Sequence, residues 1–211
     1  MISVVIASTV SPTETVILEK APLGNWLTYF QEHRLVDLPV IPGSHNSATW
    51  RCRPESHWMH HAAFPFARQQ HVPISDRLEA GIRFLDLRLR ASIDSVQISH
   101  RFDTMYDFVS VLKTVDIFLK EQPTEFLVLY IRVDWDHRLD PEPVGVPCER
   151  RLRIQEAIER SGLPLAEIRG SDFINTRVRD VRGRAILLIP DDGSVLSCSG
   201  LTRSALPAVG I

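Results

Sequence analysis

Apolar residues in this chain fall into short runs that end abruptly in polar ones. Leu38 to Ile41 give way to Pro42 and Gly43, and GSHNS follows at once. In IRFLDLRLR (82–90) a two-residue period sets Asp86, Arg88 and Arg90 on one face and leucines on the other. SVQISH ends on His100, FLVLYIRVDWD (126–136) turns polar at its end, and RGRAILLIPDDGS (182–194) repeats the plan. Such runs predict buried strands that deliver polar side chains at their C-terminal ends.

Helical spacing alternates with them. Met105, Phe108, Val109, Leu112, Val115, Phe118 and Leu119 predict an amphipathic helix over 104–120, ended by Pro123. A second helix is expected over 149–162, stopped by Gly162, and a short one in SDRLEAG, with an N-cap and a closing glycine. Asn25 is expected to cap a helix from Trp26 to His33 that turns Trp26, Leu27, Phe30 and Leu35 toward a core. Residues 51–74 and 138–147 read as loops, 1–24 as an N-terminal arm, 25–200 as the domain and 201–211 as an irregular tail.

The order strand, helix, strand, strand, helix, strand, helix, strand predicts a parallel α/β fold. Polar residues gathered at strand ends match the rim where (β/α) barrels hold their active sites. About five strands are countable, against eight for a closed barrel, so a TIM-like barrel incomplete at its C-terminus is expected. Its open edge calls for a cover, residues 1–20 or a second chain, unless the chain is a truncated product.

Composition narrows this only a little. The 211 residues suit one domain or a small pair, and 44% hydrophobic with 24% charged residues is ordinary for a globular protein. A net charge of −2 supplies no field for nucleic acid. Three cysteines, Cys52, Cys148 and Cys198, lie too far apart for a disulfide framework or a zinc site. Of 24 cationic residues only Lys20, Lys113 and Lys120 are not Arg. No run approaches the ~20 apolar residues of a membrane span. The opening MISVVIASTV lacks a basic leader, so a cytoplasmic or membrane-peripheral protein is expected.

The strand ends bring together His45, Asn46, Asp86, Arg88, His100, Arg132 and Asp134. Two imidazoles flanking a fixed guanidinium suit phosphodiester cleavage. One histidine takes a proton from an attacking hydroxyl, the other protonates the leaving oxygen, and Arg88 neutralises the phosphate. His57, His60, His61 and His71 sit in a loop without carboxylate or Cys partners at metal-binding spacing, so no metal is expected there. Trp50, Trp58 and Phe66 read first as packing residues, and second as lipid contacts at the rim.

IPGSHNSAT, QHVPISDRLEAGIRFLDLRLR, ISH and EQPTEFLVLYIR, in this order, resemble the X domain of phosphatidylinositol-specific phospholipase C over about residues 37–190. That resemblance implies a distorted (β/α) barrel cleaving inositol phospholipids to diacylglycerol and inositol 1,2-cyclic phosphate. His45 is then the general base, His100 the general acid, and Arg88 the metal-independent phosphate ligand of the bacterial branch. Asp86 stands at the first acidic place of that strand, and Arg132 and Asp134 resemble residues near the inositol ring. The substrate implied is an inositol phospholipid or a glycosyl-phosphatidylinositol, met transiently at a membrane surface, with no cofactor. Asn46 departs from the bacterial pattern, which has an Asp supporting the general acid. Pro190 falls where those enzymes grip inositol with Arg, and no residue matches the late-strand carboxylate that orients the base. A catalytically weak or inactive barrel that binds head groups or a protein partner is the alternative.

Overall fold

Residues 22–50, 68–91, 95–100, 102–133, 148–168 and 172–188 are described by the computed structural model. Strand β2, Phe84–Ala91, is the axis of a mixed six-stranded sheet ordered β4-β3-β2-β5-β6, with β1 also on β2. Its partners are β1 (Gly43–Ser44), β3 (Val96–His100), β4 (Phe102–Asp107), β5 (Leu127–Val133) and β6 (Ala185–Leu188). The parallel ladder β2–β5 pairs Phe84 through Leu89 with Val128 through Val133, and β6 continues it parallel to β5. The expected wholly parallel sheet is corrected at the other edge, where β2, β3 and β4 form an antiparallel meander. No closed barrel is formed among the described residues.

Alternation along the strands divides the core. Leu85, Leu87, Leu89, Leu127, Leu129 and Ile131 are buried beneath α1 (Ile74–Glu79), α2 (Phe108–Glu121) and α3 (Cys148–Ser161). Each such leucine contributes roughly 1.5–3 kcal/mol through burial. On the opposite face Phe84, Val128 and Ile186 pack on Leu27, Leu35 and two valines of α4 (Val178–Val181). That face is apolar at the N-terminal ends of the strands and polar at their C-terminal ends, where Asp86, Arg88 and Arg132 lie.

Several local expectations are corrected. Asn25 does not cap a helix: the segment is 3₁₀, Leu23–Phe30, with Asn25 at a non-helical kink. Leu35 belongs to a separate 3₁₀ turn, Leu35–Asp37. The strand expected over 38–41 is confined to Gly43–Ser44. Ser75 does not cap α1; its Oγ donates to Asp76 instead, and Gly81, at φ +95°, turns the chain into β2.

Residues 104–107 are strand rather than helix, because Asp107 is itself the N-cap of α2. Its carboxylate accepts from the Ser110 amide at 2.9 Å and the Ser110 hydroxyl at 3.1 Å. Asp107→Ala is expected to destabilise the fold by about 1 kcal/mol, read as a lower urea midpoint at unchanged m-value.

Candidate active site

Strands β1 and β3 share one edge of β2. Strand β1 pairs at Phe84 and Leu85, whereas β3 pairs only from Leu89 onward. Between them the edge is open, and the chain leaving β1 turns into that opening. There the Ser47 amide caps the Asp86 carbonyl at 2.7 Å. The turn holds its form through Ser47 Oγ donating to the Ser44 carbonyl at 2.5 Å and Thr49 Oγ1 to the Asn46 carbonyl at 2.8 Å. Closing it so tightly puts Asn46 at φ +47°, a left-handed conformation that Asn tolerates better than most residues.

At the tip, the His45 side chain is 66% exposed, and its Nδ1 lies 2.7 Å from Asp86 Oδ2. The same oxygen accepts from the Asn46 amide at 3.2 Å and lies 3.8 Å from Arg88 Nε. Asp86 is buried, so its carboxylate is a fixed anchor that carries His45, Asn46 and Arg88 together. The carboxylate in contact with the histidine thus lies on β2, not on a late strand. Asn46 Oδ1 and Nδ2, Asp86 Oδ1 and Ser99 Oγ are buried without hydrogen-bond partners among the described residues. A buried polar atom left unpaired costs about 1–3 kcal/mol.

Arg88 and Arg132 are register partners in the β2–β5 ladder. Their side chains therefore leave the same face of strands ~4.8 Å apart, an arrangement of like charges that an anion between them would relieve. His100 stands on the sheet otherwise than the sequence suggests. Strand β3 is antiparallel to β2, so His100 is not at a parallel rim; it ends β3, paired with Phe102 of β4 past a register shift between Ile98 and Ser99 in that hairpin. Asp134, His57, His60, His61, Trp58 and Phe66 lie outside the described residues. Trp50 packs edge-on to Tyr106, with ring centroids 6.2 Å apart. Among the described residues no group of three or more His, Cys, Asp or Glu side chains is placed to hold a metal ion.

Two further residues brace the turn and carry no role in the sequence reading. Gln70 Nε2 donates to the His45 carbonyl at 2.5 Å, and Arg77 of α1 donates to Ser44 Oγ at 2.6 Å and to the Ser47 carbonyl. Arg77 had a visible signal: it stands three residues after Ile74 and next to Leu78, on the buried face of a short helix.

The described residues thus form an α/β sheet with aspartate and arginine side chains near the C-terminal ends of its parallel strands and a histidine on the adjoining turn. No family model matches the chain. Over 123 residues it is 26% identical to a 1-phosphatidylinositol phosphodiesterase of Staphylococcus aureus (strain Newman), covering 56% of this chain and 36% of that protein. The Listeria monocytogenes protein of the same name is 29% identical over 123 residues, 55% of this chain and 37% of its own length. A PI-PLC X-box domain-containing protein of Dictyostelium discoideum is 29% identical over 164 residues, 72% of this chain and 20% of that protein. Phosphatidylinositol-specific phospholipase C from Listeria monocytogenes shares the fold, with a TM-score of 0.64 over 80% of this chain and 57% of that one, at 23% identity. The chain is thus similar in sequence to proteins named 1-phosphatidylinositol phosphodiesterase and in fold to a phosphatidylinositol-specific phospholipase C. It spans about a third of the length of the bacterial relatives it matches.

No helix among the described residues is long and apolar enough to cross a membrane.

Proposed function

We propose that the chain carries the catalytic X-type portion of a phosphatidylinositol phosphodiesterase, working by two-histidine acid-base catalysis. The observation that carries this reading is the 2.7 Å contact of His45 Nδ1 with the buried Asp86, beside Arg88. The carboxylate keeps the imidazole proton on Nδ1 and leaves Nε2, on the exposed side of the ring, as a base.

The inositol 2-hydroxyl gives its proton to His45 Nε2 as its oxygen bonds to phosphorus. The bond from phosphorus to the diacylglycerol oxygen breaks, and His100 supplies the proton that this oxygen takes up. Arg88, with Arg132 across the strand, offsets charge on the non-bridging phosphate oxygens. Asp134 is assigned to the inositol ring on the family resemblance. The substrate is an inositol phospholipid presented at a membrane surface, and the Arg88 guanidinium occupies the place where a metal-dependent relative would need an acidic ligand.

Purified protein with phosphatidylinositol vesicles and excess chelator is expected to release inositol 1,2-cyclic phosphate, followed by ³¹P NMR. His45→Ala is expected to lower that rate by about 10²- to 10⁴-fold. Activity abolished by chelator would refute the metal-free mechanism. Vesicle binding without any turnover would favour the head-group-binding alternative.

A further inference from the structure

Arg77 is 7% exposed, and its guanidinium is unusually placed. Its Nε donates to the Pro73 carbonyl at 3.4 Å, one terminal nitrogen to Ser44 Oγ at 2.6 Å, and the other to the Ser47 carbonyl. None of its partners among the described residues is a carboxylate. Burial without a counter-charge pushes its pKa down to about 10, so the fold accepts a desolvation cost at this position. What it obtains is geometric. Ser44 and Ser47 are the residues on either side of His45 and Asn46, and their hydroxyls lie 3.1 Å apart.

We propose that Arg77 is a positioning residue for His45, its planar fork clamping both ends of the Ser44–Ser47 turn so that the imidazole meets Asp86. The inference rests on the reading of His45 as the base. Fork geometry, rather than charge, is the operative property: three donors in one plane span Ser44 at the end of β1, Ser47 in the turn and Pro73 before α1, and a lysine ammonium cannot span them. A reservoir of positive charge for the phosphate is disfavoured as the main role by the direction of its nitrogens, each of which donates to the turn or to Pro73.

The test compares Arg77→Gln, Arg77→Lys and Ser44→Ala with the unaltered chain. Both Arg77 variants are expected to lose about 100-fold in kcat on phosphatidylinositol vesicles, with KM within about threefold. Ser44→Ala, which removes one acceptor and leaves the guanidinium in place, is expected to lose about tenfold, and decides the matter if the Arg77 variants fail to fold. In the Asp86→Asn background the Arg77→Gln loss should largely disappear, because both changes release the same imidazole. Wild-type kcat in Arg77→Lys, or losses that multiply in the double variant, would overturn the proposal.

A second readout needs no turnover. ¹⁵N NMR of His45 should show the Nδ1–H tautomer in the unaltered chain and the mixture of a free imidazole in Arg77→Gln and Ser44→Ala. An unchanged tautomer in folded variants refutes the positioning role. Inactivity of the unaltered chain with the tautomer shift intact refutes the phosphodiesterase reading alone.

Discussion

Asp86→Asn is expected to lower kcat for phosphatidylinositol cleavage by on the order of 10²- to 10⁴-fold with little change in KM. The magnitude follows from what the carboxylate touches. One oxygen of Asp86 meets His45 Nδ1 at 2.7 Å, the Asn46 amide at 3.2 Å and Arg88 Nε at 3.8 Å. All three neighbours are positive or proton-bearing, so a carboxylate is complementary to every one of them. An amide in its place offers one acceptor oxygen and an NH₂ group. With that NH₂ toward His45, the ring must present a lone pair at Nδ1, moving the proton to Nε2, where the base is needed. In a serine protease the corresponding exchange costs about 10⁴-fold in kcat for this reason. Steady-state kinetics on vesicles, with circular dichroism to verify the fold, reads the effect. A variant that keeps wild-type kcat would show that Asp86 does not orient the base.

The chemistry was more legible in the sequence than its geometry. Two-residue periodicity placed Asp86 and Arg88 on one face, and the parallel ladder to β5 bears that out. The burial of alternate leucines explains why this signal is strong: one face is wholly apolar, and any slip would drive three charged side chains into the leucine core. Strand β4 was invisible, because TMYD precedes a strong helical pattern and the boundary is set by a cap, the Asp107 carboxylate, rather than by hydrophobicity. Sequence also gave no partner for His45. The spacing of residues along a strand does not reveal where a neighbouring strand stops, and the 86–88 opening exists only because β1 leaves β2 before β3 joins it. By the family resemblance Asn46 is a weakened support for His100. The structure shows in addition a backbone role, since its amide donates to Asp86 from a left-handed turn.

Glu125→Ala is expected to destabilise the fold by about 3–5 kcal/mol, the largest stability loss among the substitutions considered. Glu125 and Arg83 are both fully buried, with Oε2 2.7 Å from Nε. The remaining Arg83 donors reach four carbonyls, Leu78, Ile82, Leu23 and Gly24, and its guanidinium carbon lies 4.7 Å over the Phe118 ring. One side chain therefore joins the 3₁₀ segment, the end of α1, the start of β2 and α2. Burial pushes the Glu125 pKa up and the Arg83 pKa down, and each partner offsets only part of the other's desolvation. Removing the carboxylate leaves the arginine charge buried without compensation, and that is the origin of the large loss. Replacing both partners by apolar residues of similar volume, Arg83→Met with Glu125→Leu, removes the desolvation cost along with the attraction. The double variant is expected to be more stable than Glu125→Ala, with the four freed carbonyls setting how much of the loss persists. Urea midpoints at constant m-value make the comparison, and a double variant weaker than the single one would show that the carbonyl contacts, not the charge pair, dominate this junction.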